Sequence, residues 1–404
     1  MSTATNPPIL IIGAGLTGLI LSHALRHISI PHLIYDAESP TTHRTRLREW
    51  NMAVHWSIPL LQELLPKELF DRFVAESAVD PSLDPAKAPF NGARIFDGYE
   101  GGCLKELEEE GGVVRVSRRK MRGWLLEGVD VKFDHKLESI TYNDDDTVTA
   151  HFTNNTSSTG RLLVGADGPR SIIRSLLFDN SPSALTAPMS NSISISSVFS
   201  YPTPELNKQI RDSTHPTFSM MVHPEIFLFI SMQDVPDPND PATWVFYFFA
   251  CWRGEPPSST PTSEELRDLI VAKSKDLHEP YRSVIAHLPP DAVFTPLTLA
   301  TWTAEPWPTH GGRITLAGDA AHPMLPFRGQ GLNNAIQDVA NLVAGLEMVE
   351  QGELGLGDMV EGYSGEVARR GAEATSMSVK SAEMTMEYWS FKESPMMKMG
   401  MRKL

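Results

Sequence analysis

The fold is decided by the stretch at residues 314–342, which reads ITLAGDAAHPMLPFRGQGLNNAIQDVANL. It begins with an apolar run (314–316), continues through a glycine-rich segment, and becomes helical from Leu332, with apolar residues at Ile336 and Val339. This pattern predicts a strand, a loop and a helix. Such a junction offers a ligand a carboxylate at the strand end and unpaired N–H groups at the helix start.

A second junction of the same kind opens the chain. An apolar run (8–12) precedes the loop GAGLTG (13–18), and another predicted strand (32–35) ends at Asp36. The glycines permit a tight turn, close approach of a pyrophosphate and packing of helix on strand, while the acid accepts hydrogen bonds from a ribose. An acid at this position disfavours a 2′-phosphate, so FAD or NAD fits better than NADP. The expected contacts are Gly13, Gly15, Leu16, Thr17, Gly18, Asp36 and Ala37.

A third loop, GADGPRS (165–171), follows a predicted strand. Asp167 can bind a hydroxyl or order the loop, and Gly168 gives backbone clearance. Ser171 can cap the next helix, and Arg174 can anchor against Asp167. An ordinary Asp-Gly turn without a functional role is the alternative interpretation.

Composition narrows the class of protein. The 404 residues carry a net charge of −15 and a pI of about 5.3, which argues against nucleic acid or an anionic membrane as a partner. Two cysteines, Cys103 and Cys251, predict neither a disulfide framework nor a metal site. No secretory signal and no apolar run long enough for a membrane span occur in the sequence, so we expect a cytoplasmic protein.

The rest of the chain suggests a second, strand-rich layer. Residues 178–303 contain alternating apolar stretches; in one of them Phe246 and Phe248 fall on one face and Tyr247 and Phe249 on the other. We expect an antiparallel sheet, with one face over the cofactor and the other against a helix near 264–275. A purely structural role for each aromatic residue remains open. Residues 51–65 and 118–126 are predicted helices, and 78–91 a surface excursion.

The combined motifs resemble those of the FAD-dependent aromatic hydroxylase-like monooxygenases, the class A flavoprotein monooxygenases, and most of all their fungal secondary-metabolism members. The resemblance is carried by GDAAHPMLPFRGQGLNNAIQDVANL (318–342), by the 165–174 segment and by the helix that begins at Arg118. The family's usual Gly-Gly-Gln-Gly is here Arg328-Gly329-Gln330-Gly331, which places a cation near the predicted flavin edge.

The resemblance implies an α/β fold, in which a Rossmann-like FAD-binding domain receives an inserted antiparallel β-sheet substrate domain and ends in a C-terminal helical segment. This is the p-hydroxybenzoate hydroxylase-like arrangement. The implied division assigns 1–77, 95–177 and 304–357 to the FAD-binding domain, 78–94 to an excursion, 178–303 to the substrate domain and 358–404 to C-terminal helices.

The function implied is that of a monooxygenase driven by NADPH or NADH. It would use non-covalent FAD and O2, through a C4a-hydroperoxyflavin, to hydroxylate or epoxidise a largely apolar aromatic, indole or polycyclic natural product. An oxidase or dehydrogenase on the same fold, Baeyer–Villiger-type oxygen insertion and a non-catalytic FAD-binding protein remain alternatives. The oligomeric state is open.

The resemblance also assigns site residues. Arg48 would lie over the flavin or the adenine phosphates, with a solvated basic loop as the alternative. Arg118 would contact the ribityl or phosphate region of the flavin, with an exposed helical arginine as the alternative. Asp319 would hold the ribityl chain, and the helix from Leu332 would stabilise the charge at N1/O2. The expected catalytic positions are His322, Pro323 and Arg328, and the further cofactor contacts are Asp167, Gly168, Arg174, Gly318, Gly329, Gly331 and Asn333.

Overall fold

The computed structural model describes residues 6–45, 49–83, 92–108, 112–257 and 259–399. Within these ranges a parallel sheet, here called the first sheet, is built from five short strands with buried apolar side chains. Helices cover both faces of such a sheet, which explains why its strands read as continuous apolar runs. In spatial order the strands are Ile314–Leu316, Leu162–Gly165, Ile9–Ile12, His32–Tyr35 and Val131–Lys132.

The second layer is a mixed sheet, here called the large sheet. Its strands run antiparallel to their neighbours except where Phe218–Val222 and Gly92–Asp97 pair in parallel. The predicted division assigns residues 95–177 to the FAD-binding domain, but the strands Gly92–Asp97 and Cys103–Glu108 pair within the large sheet. The described part of the chain contributes seven strands in the order Thr295–Leu297, Ser192–Phe199, Val245–Arg253, Phe227–Asp234, Phe218–Val222, Gly92–Asp97 and Cys103–Glu108.

The two faces of the large sheet differ in what covers them. Phe246 and Phe248 belong to the outer apolar cluster, together with Leu266 of the Ser263–Lys273 helix. Thr262 caps that helix through a reciprocal capping box with Glu265. The alternation predicted for these aromatic residues and the helix packed on one face are both confirmed.

The opposite, inner face turns toward the first sheet. Phe227 and Phe249 lie on it, with ring centroids 5.9 and 6.1 Å from that of Phe327 in the glycine-rich segment. The large sheet therefore stands directly opposite the stretch that the sequence identified as decisive.

A two-stranded ribbon lies between the two sheets, where the sequence predicted a helix. Asn51–Val54 pairs antiparallel with Val114–Ser117, and the helix begins only at Ile58. The apolar spacing fits a helix, but pairing with a distant strand outweighs that local preference. The predicted surface excursion is also wrong at its start, because Ala78 and Val79 are buried; residues 84–91 of it lie outside the described residues.

The remaining strands form small sheets: Leu137–Tyr142, Val148–Phe152 and Ser157–Gly160 in one, and Ala187–Pro188 with Ala300–Thr301 in the other. The helices of the described residues are Leu16–His27, Pro40–Thr45, Ile58–Leu64, Lys67–Phe70, Phe73–Ser77, Arg118–Leu125, Ile172–Leu177, Pro204–Ser213, Ser263–Lys273, Tyr281–Ala286, Gly331–Glu350, Leu356–Thr385 and Pro395–Met399. The C-terminal helical segment is thus present. Among these helices, none has the length and apolar character needed to cross a bilayer.

Candidate FAD and substrate site

The first glycine loop has the geometry that dinucleotide binding requires. Gly13 has a φ of +110°, and a Cβ on Gly18 would lie 1.9 Å from the Gly13 carbonyl oxygen, so helix and strand pack closely there. A Cβ on Gly15 would meet nothing within 4 Å, which leaves the backbone open to close approach. The turn at Gly13 and the close packing at Gly18 agree with the roles predicted for them, and the approach of a pyrophosphate at Gly15 stays a prediction.

Asp36 orders this loop through its carboxylate. One carboxylate oxygen accepts from the Ala14 N–H at 2.7 Å, and the other accepts from the Glu38 N–H at 2.8 Å. Asp36 therefore fixes both the glycine loop and the turn that contains Ala37. Its contact with a ribose stays a prediction.

The two glycine-rich segments touch each other. Gly318 has a φ of +62°, and a Cβ there would lie 2.4 Å from Thr17 Oγ1. Only glycine lets the strand end at Leu316 come this close to the first helix turn, next to Leu16. The chain thus brings Asp319, the next residue, close to the first glycine loop.

Asp167 orders its own loop, which is one of the two roles expected for it. Its carboxylate accepts from Ser171 Oγ at 2.5 Å and from the Ile172 N–H at 2.7 Å. Ser171 in turn caps the Ile172–Leu177 helix by accepting from the Arg174 N–H at 2.9 Å. A Cβ on Gly168 would meet nothing within 4 Å, so the predicted backbone clearance exists.

Arg174 does not anchor against Asp167, contrary to the prediction. Its side chain is 1% exposed and donates to the carbonyl oxygens of Pro169 at 2.6 Å, Ala184 at 2.7 Å and Ala320 at 2.8 Å. The guanidinium therefore braces the Asp167 loop against the Asp319 loop. Because its N–H groups donate to protein carbonyl oxygens, this geometry does not favour direct contact between Arg174 and a cofactor.

Asp319 and Arg118 occupy the same electrostatic neighbourhood. The Asp319 side chain is accessible, yet surrounding protein atoms desolvate its carboxyl and raise its pKa, against the positive charges of His322, Arg118 and Arg174. The Arg118 guanidinium lies 4.7 Å from the centroid of the Trp50 ring. Their contacts with a cofactor stay predictions. Arg48, the other predicted arginine, lies outside the described residues.

His322 has a supporting position rather than a catalytic one. Its ring is fully buried, and Nε2 lies 2.7 Å from Asp338 Oδ2, the oxygen that also accepts from the Gly318 N–H at 2.7 Å. Arg370 donates to the other oxygen of Asp338 at 2.6 Å. Burial lowers the pKa of His322, but the charge of Asp338, its hydrogen bond to the ring and the charge of Asp319 together outweigh burial and raise that pKa. Asp338 was not predicted as a site residue. Its signal in the sequence is an acidic residue between apolar positions of the predicted helix.

The two other predicted catalytic positions are also held by protein contacts. The Pro323 carbonyl oxygen accepts from the Trp302 N–H at 3.2 Å. The Arg328 side chain is only 1% exposed, and its carbonyl oxygen accepts from Gln330 Nε2 at 3.3 Å. The roles assigned to Pro323 and Arg328 stay predictions.

The start of the Gly331–Glu350 helix fits an anionic ligand group. No side chain in the described ranges caps this helix, so its first N–H groups have no capping side chain. Asn333 instead holds the helix in place: its Oδ1 accepts from the His55 N–H at 3.0 Å, and its Nδ2 donates to the Ala53 carbonyl oxygen at 2.8 Å. The Asn333 amide is thus used by the protein, and Gly329, with a φ of +62°, makes the preceding turn.

These residues fit FAD. An open backbone at Gly15, a carboxyl at Asp319 and an uncapped helix start match a pyrophosphate, a polyhydroxyl chain and an electron-rich ring edge. Opposite them stands an aromatic wall that includes Phe227 and Phe249 of the large sheet and packs against Phe327. Fold and site together define a flavin-dependent oxidoreductase that acts on a small molecule.

Comparison with known proteins identifies the family. The family described as "FAD binding domain" matches residues 118–378. The FAD-dependent monooxygenase phnB of Penicillium herquei is 33% identical over 403 residues, covering 98% of this chain and 96% of that protein. For cctM of Talaromyces islandicus, another FAD-dependent monooxygenase, the identity is 29% over 399 residues, with 98% and 96% covered. The chain belongs to this family and is an FAD-dependent monooxygenase of the fungal secondary-metabolism type.

Solved structures support the same fold. Klebsiella pneumoniae HpxO in complex with FAD and uric acid superposes with a TM-score of 0.74 at 18% identity, over 98% of this chain and 95% of that one. A putative FAD-containing monooxygenase from Photorhabdus luminescens gives 0.74 at 21% identity, over 95% and 100%. The predicted fold class, an FAD-binding α/β domain with a β-sheet layer and C-terminal helices, is confirmed.

Proposed function

We propose that this monooxygenase uses NADPH or NADH, together with O2, to hydroxylate or epoxidise an aromatic, indole or polycyclic natural product. The observation that carries the proposal is the inner face of the large sheet. Its aromatic side chains stand against Phe327, within the segment that links Asp319 to the helix start at Gly331. An aromatic wall facing a flavin-binding segment suits a flat apolar substrate better than a polar one.

The chain's own residues supply binding, orientation and exclusion of water. The N–H groups at the start of the Gly331–Glu350 helix stabilise negative charge on the ring edge placed before them. Asn333 keeps that helix start fixed against the ribbon, and the Asp338–His322 pair keeps the Asp319 loop fixed against the helix. Bound FAD supplies the redox chemistry and the activation of oxygen.

The test is an anaerobic reduction followed by exposure to oxygen. The purified holoenzyme is mixed with NADPH, and separately with NADH, in the presence and absence of a panel of aromatic and indole ligands. Bleaching of the flavin absorbance reports reduction. The reduced protein is then mixed rapidly with aerated buffer while spectra are recorded, and the products are analysed for an added oxygen atom.

We expect reduction by a nicotinamide cofactor, accelerated by a bound aromatic ligand, and a transient flavin spectrum before the oxidised form returns. Incorporation of one atom of labelled O2 into a product completes the demonstration. If neither nicotinamide cofactor reduces the flavin with any ligand, while an organic substrate reduces it directly, the proposed reaction is wrong and the protein acts as an oxidase or dehydrogenase.

A further inference from the structure

The ribbon between the two sheets carries an arginine that the flavin site leaves unused. On one face of the ribbon, Val54, Val114 and Val116 join the core around the first sheet. Side chains alternate along a strand, so Ala53 and its cross-strand partner Arg115 face the other way, toward the large sheet. Arg115 therefore lies on the substrate side of the molecule.

Aromatic rings of the inner sheet face surround the Arg115 guanidinium. Its central carbon lies 5.1 Å from the centroid of the Phe218 ring and 5.4 Å from that of Phe229. Desolvation lowers the pKa of Arg115 to about 10, despite an opposing influence of the Tyr247 phenol. The group therefore stays protonated at neutral pH.

The partner of Arg115 within the protein is neutral. Its Nη2 donates to Asn51 Oδ1. The orientation of Asn51 is fixed because its Nδ2 donates to Ser231 Oγ at 3.0 Å and to the Met232 carbonyl oxygen at 2.9 Å. No carboxylate among the described residues forms an ion pair with Arg115, and its buried Nε has no hydrogen-bond partner there. A desolvated cation with these contacts attracts an anionic oxygen.

Accessible space lies beside this cation. Phe229 and Tyr247 belong to central strands of the large sheet and point to its inner face, where continuous packing would bury them as it buries Phe218 and Phe249. Both nevertheless remain half-buried, as does Arg115. Part of each of these three side chains is therefore exposed, and a small molecule can reach the guanidinium beside them.

The ribbon beside Arg115 adjoins the flavin-binding segment. Ala53, opposite Arg115 in the ribbon, accepts a hydrogen bond from Asn333 at 2.8 Å through its carbonyl oxygen. A Cβ on Gly329 would lie 3.4 Å from the Ala53 Cβ. Arg115 is thus paired across the ribbon with Ala53, and Ala53 contacts the segment expected to bind the flavin ring.

We propose that Arg115 is a specificity residue that binds an anionic oxygen, either an ionised phenol or a carboxylate, on the aromatic substrate. This rests on the proposed function, since it assigns a substrate class to that same site. The cation would hold the acidic end of the ring between Phe229 and the ribbon. In this position it orients the remainder of the ring toward the Gly329 segment.

The test compares ligand binding without turnover. Naphthoate, naphthol and methoxynaphthalene are titrated into the oxidised holoenzyme, and the perturbation of the flavin spectrum gives each dissociation constant. The variants are Arg115→Met, which keeps the apolar stem, and Arg115→Lys, which keeps the charge. Arg119→Met, an exposed arginine four positions further along the chain, is the matched control. Flavin content and thermal midpoint check that each variant is folded.

We expect wild-type protein to prefer naphthoate or naphthol over the methyl ether, and Arg115→Met to weaken the preferred probe about 10- to 100-fold while leaving the ether unchanged. Arg115→Lys should retain part of the preference, and Arg119→Met all of it. Preference for naphthoate assigns a carboxylate, and preference for naphthol a phenol. If wild-type protein shows no preference, or if Arg115→Met keeps it, the proposal is overturned. Failure of nicotinamide-driven reduction would instead count against the proposed function alone.

Discussion

Two residues of one short loop, Asp319 and His322, serve different purposes although both are titratable. The Asp319 side chain is accessible and lies near the Arg118 charge, as a ligand-binding carboxyl does. His322 is sealed inside and bonded to Asp338, which also accepts from the Gly318 N–H. The buried His322–Asp338 pair thus fixes the loop, and the fixed loop exposes the Asp319 carboxyl.

Substitution of Asp319 tests its assignment to the cofactor. We expect Asp319→Asn to weaken FAD binding about tenfold or more, because a hydrogen bond to a charged group is worth about 1.5–3 kcal/mol. Flavin retained after gel filtration and titration of the apoprotein measure the loss. The same change at the exposed Asp291 is the control. Unaltered FAD affinity in Asp319→Asn would remove this residue from the site.

The His322–Asp338 pair predicts a pH dependence of stability. The folded protein holds the His322 proton more tightly than the unfolded chain does, since the pKa is raised. This contribution is complete below the unfolded value of about 6.5 and is lost as pH rises through the folded value. We expect His322→Asn to cost about 3 kcal/mol on the acid side of that window and progressively less at higher pH.

Thermal midpoints of wild-type protein and His322→Asn, recorded across a pH series, measure this change. The gap between the two midpoints should narrow as pH rises. His27→Asn, at an exposed histidine, serves as the comparison. A gap that widens with pH would mean that neutral imidazole is the stabilising form and that the ion pair contributes nothing.

At the scale of the element, the first helix depends on two glycines for different reasons. An alanine at Gly18 would place its Cβ 1.9 Å from the Gly13 carbonyl oxygen, so helix and strand must move apart. An alanine at Gly15 would meet nothing within 4 Å, and its φ of −72° suits any residue. One glycine is needed for packing, and the other leaves room for a ligand.

The pair of alanine variants separates these roles. We expect Gly18→Ala to destabilise the protein by about 3 kcal/mol through overpacking. Gly15→Ala should change stability by no more than about 0.5 kcal/mol but weaken FAD binding about tenfold or more, since its methyl stands where the pyrophosphate approaches. Thermal midpoints of the apoproteins and FAD titrations decide. An equal loss of stability in both variants would contradict the division of roles.

At the scale of the whole molecule, the sequence predicted contacts between residues that are near one another along the chain, and it missed contacts between residues that are far apart along the chain. The glycine loop and Asp36 could be predicted because the Ala14–Asp36 contact lies within one βαβ unit. Asn51 was misread as helical because its partners, Ser117 in the ribbon and Ser231 in the large sheet, are remote in sequence. Contacts between the two sheets leave no periodic pattern in the sequence. The sequence could therefore predict a sheet with two different faces on the substrate side, but not which residues contact it.

The net charge of −15 sets the last prediction, at the scale of the whole molecule. A nicotinamide dinucleotide is itself anionic, so the field of the protein repels it at low ionic strength. Added salt shortens the Debye length to about 10 Å at about 0.1 M and screens this repulsion. We therefore expect the second-order rate constant for flavin reduction by NADPH, measured by anaerobic stopped flow, to rise from low to moderate salt. A rate constant that falls instead would show that a local basic surface, rather than the net charge, governs how the reductant arrives.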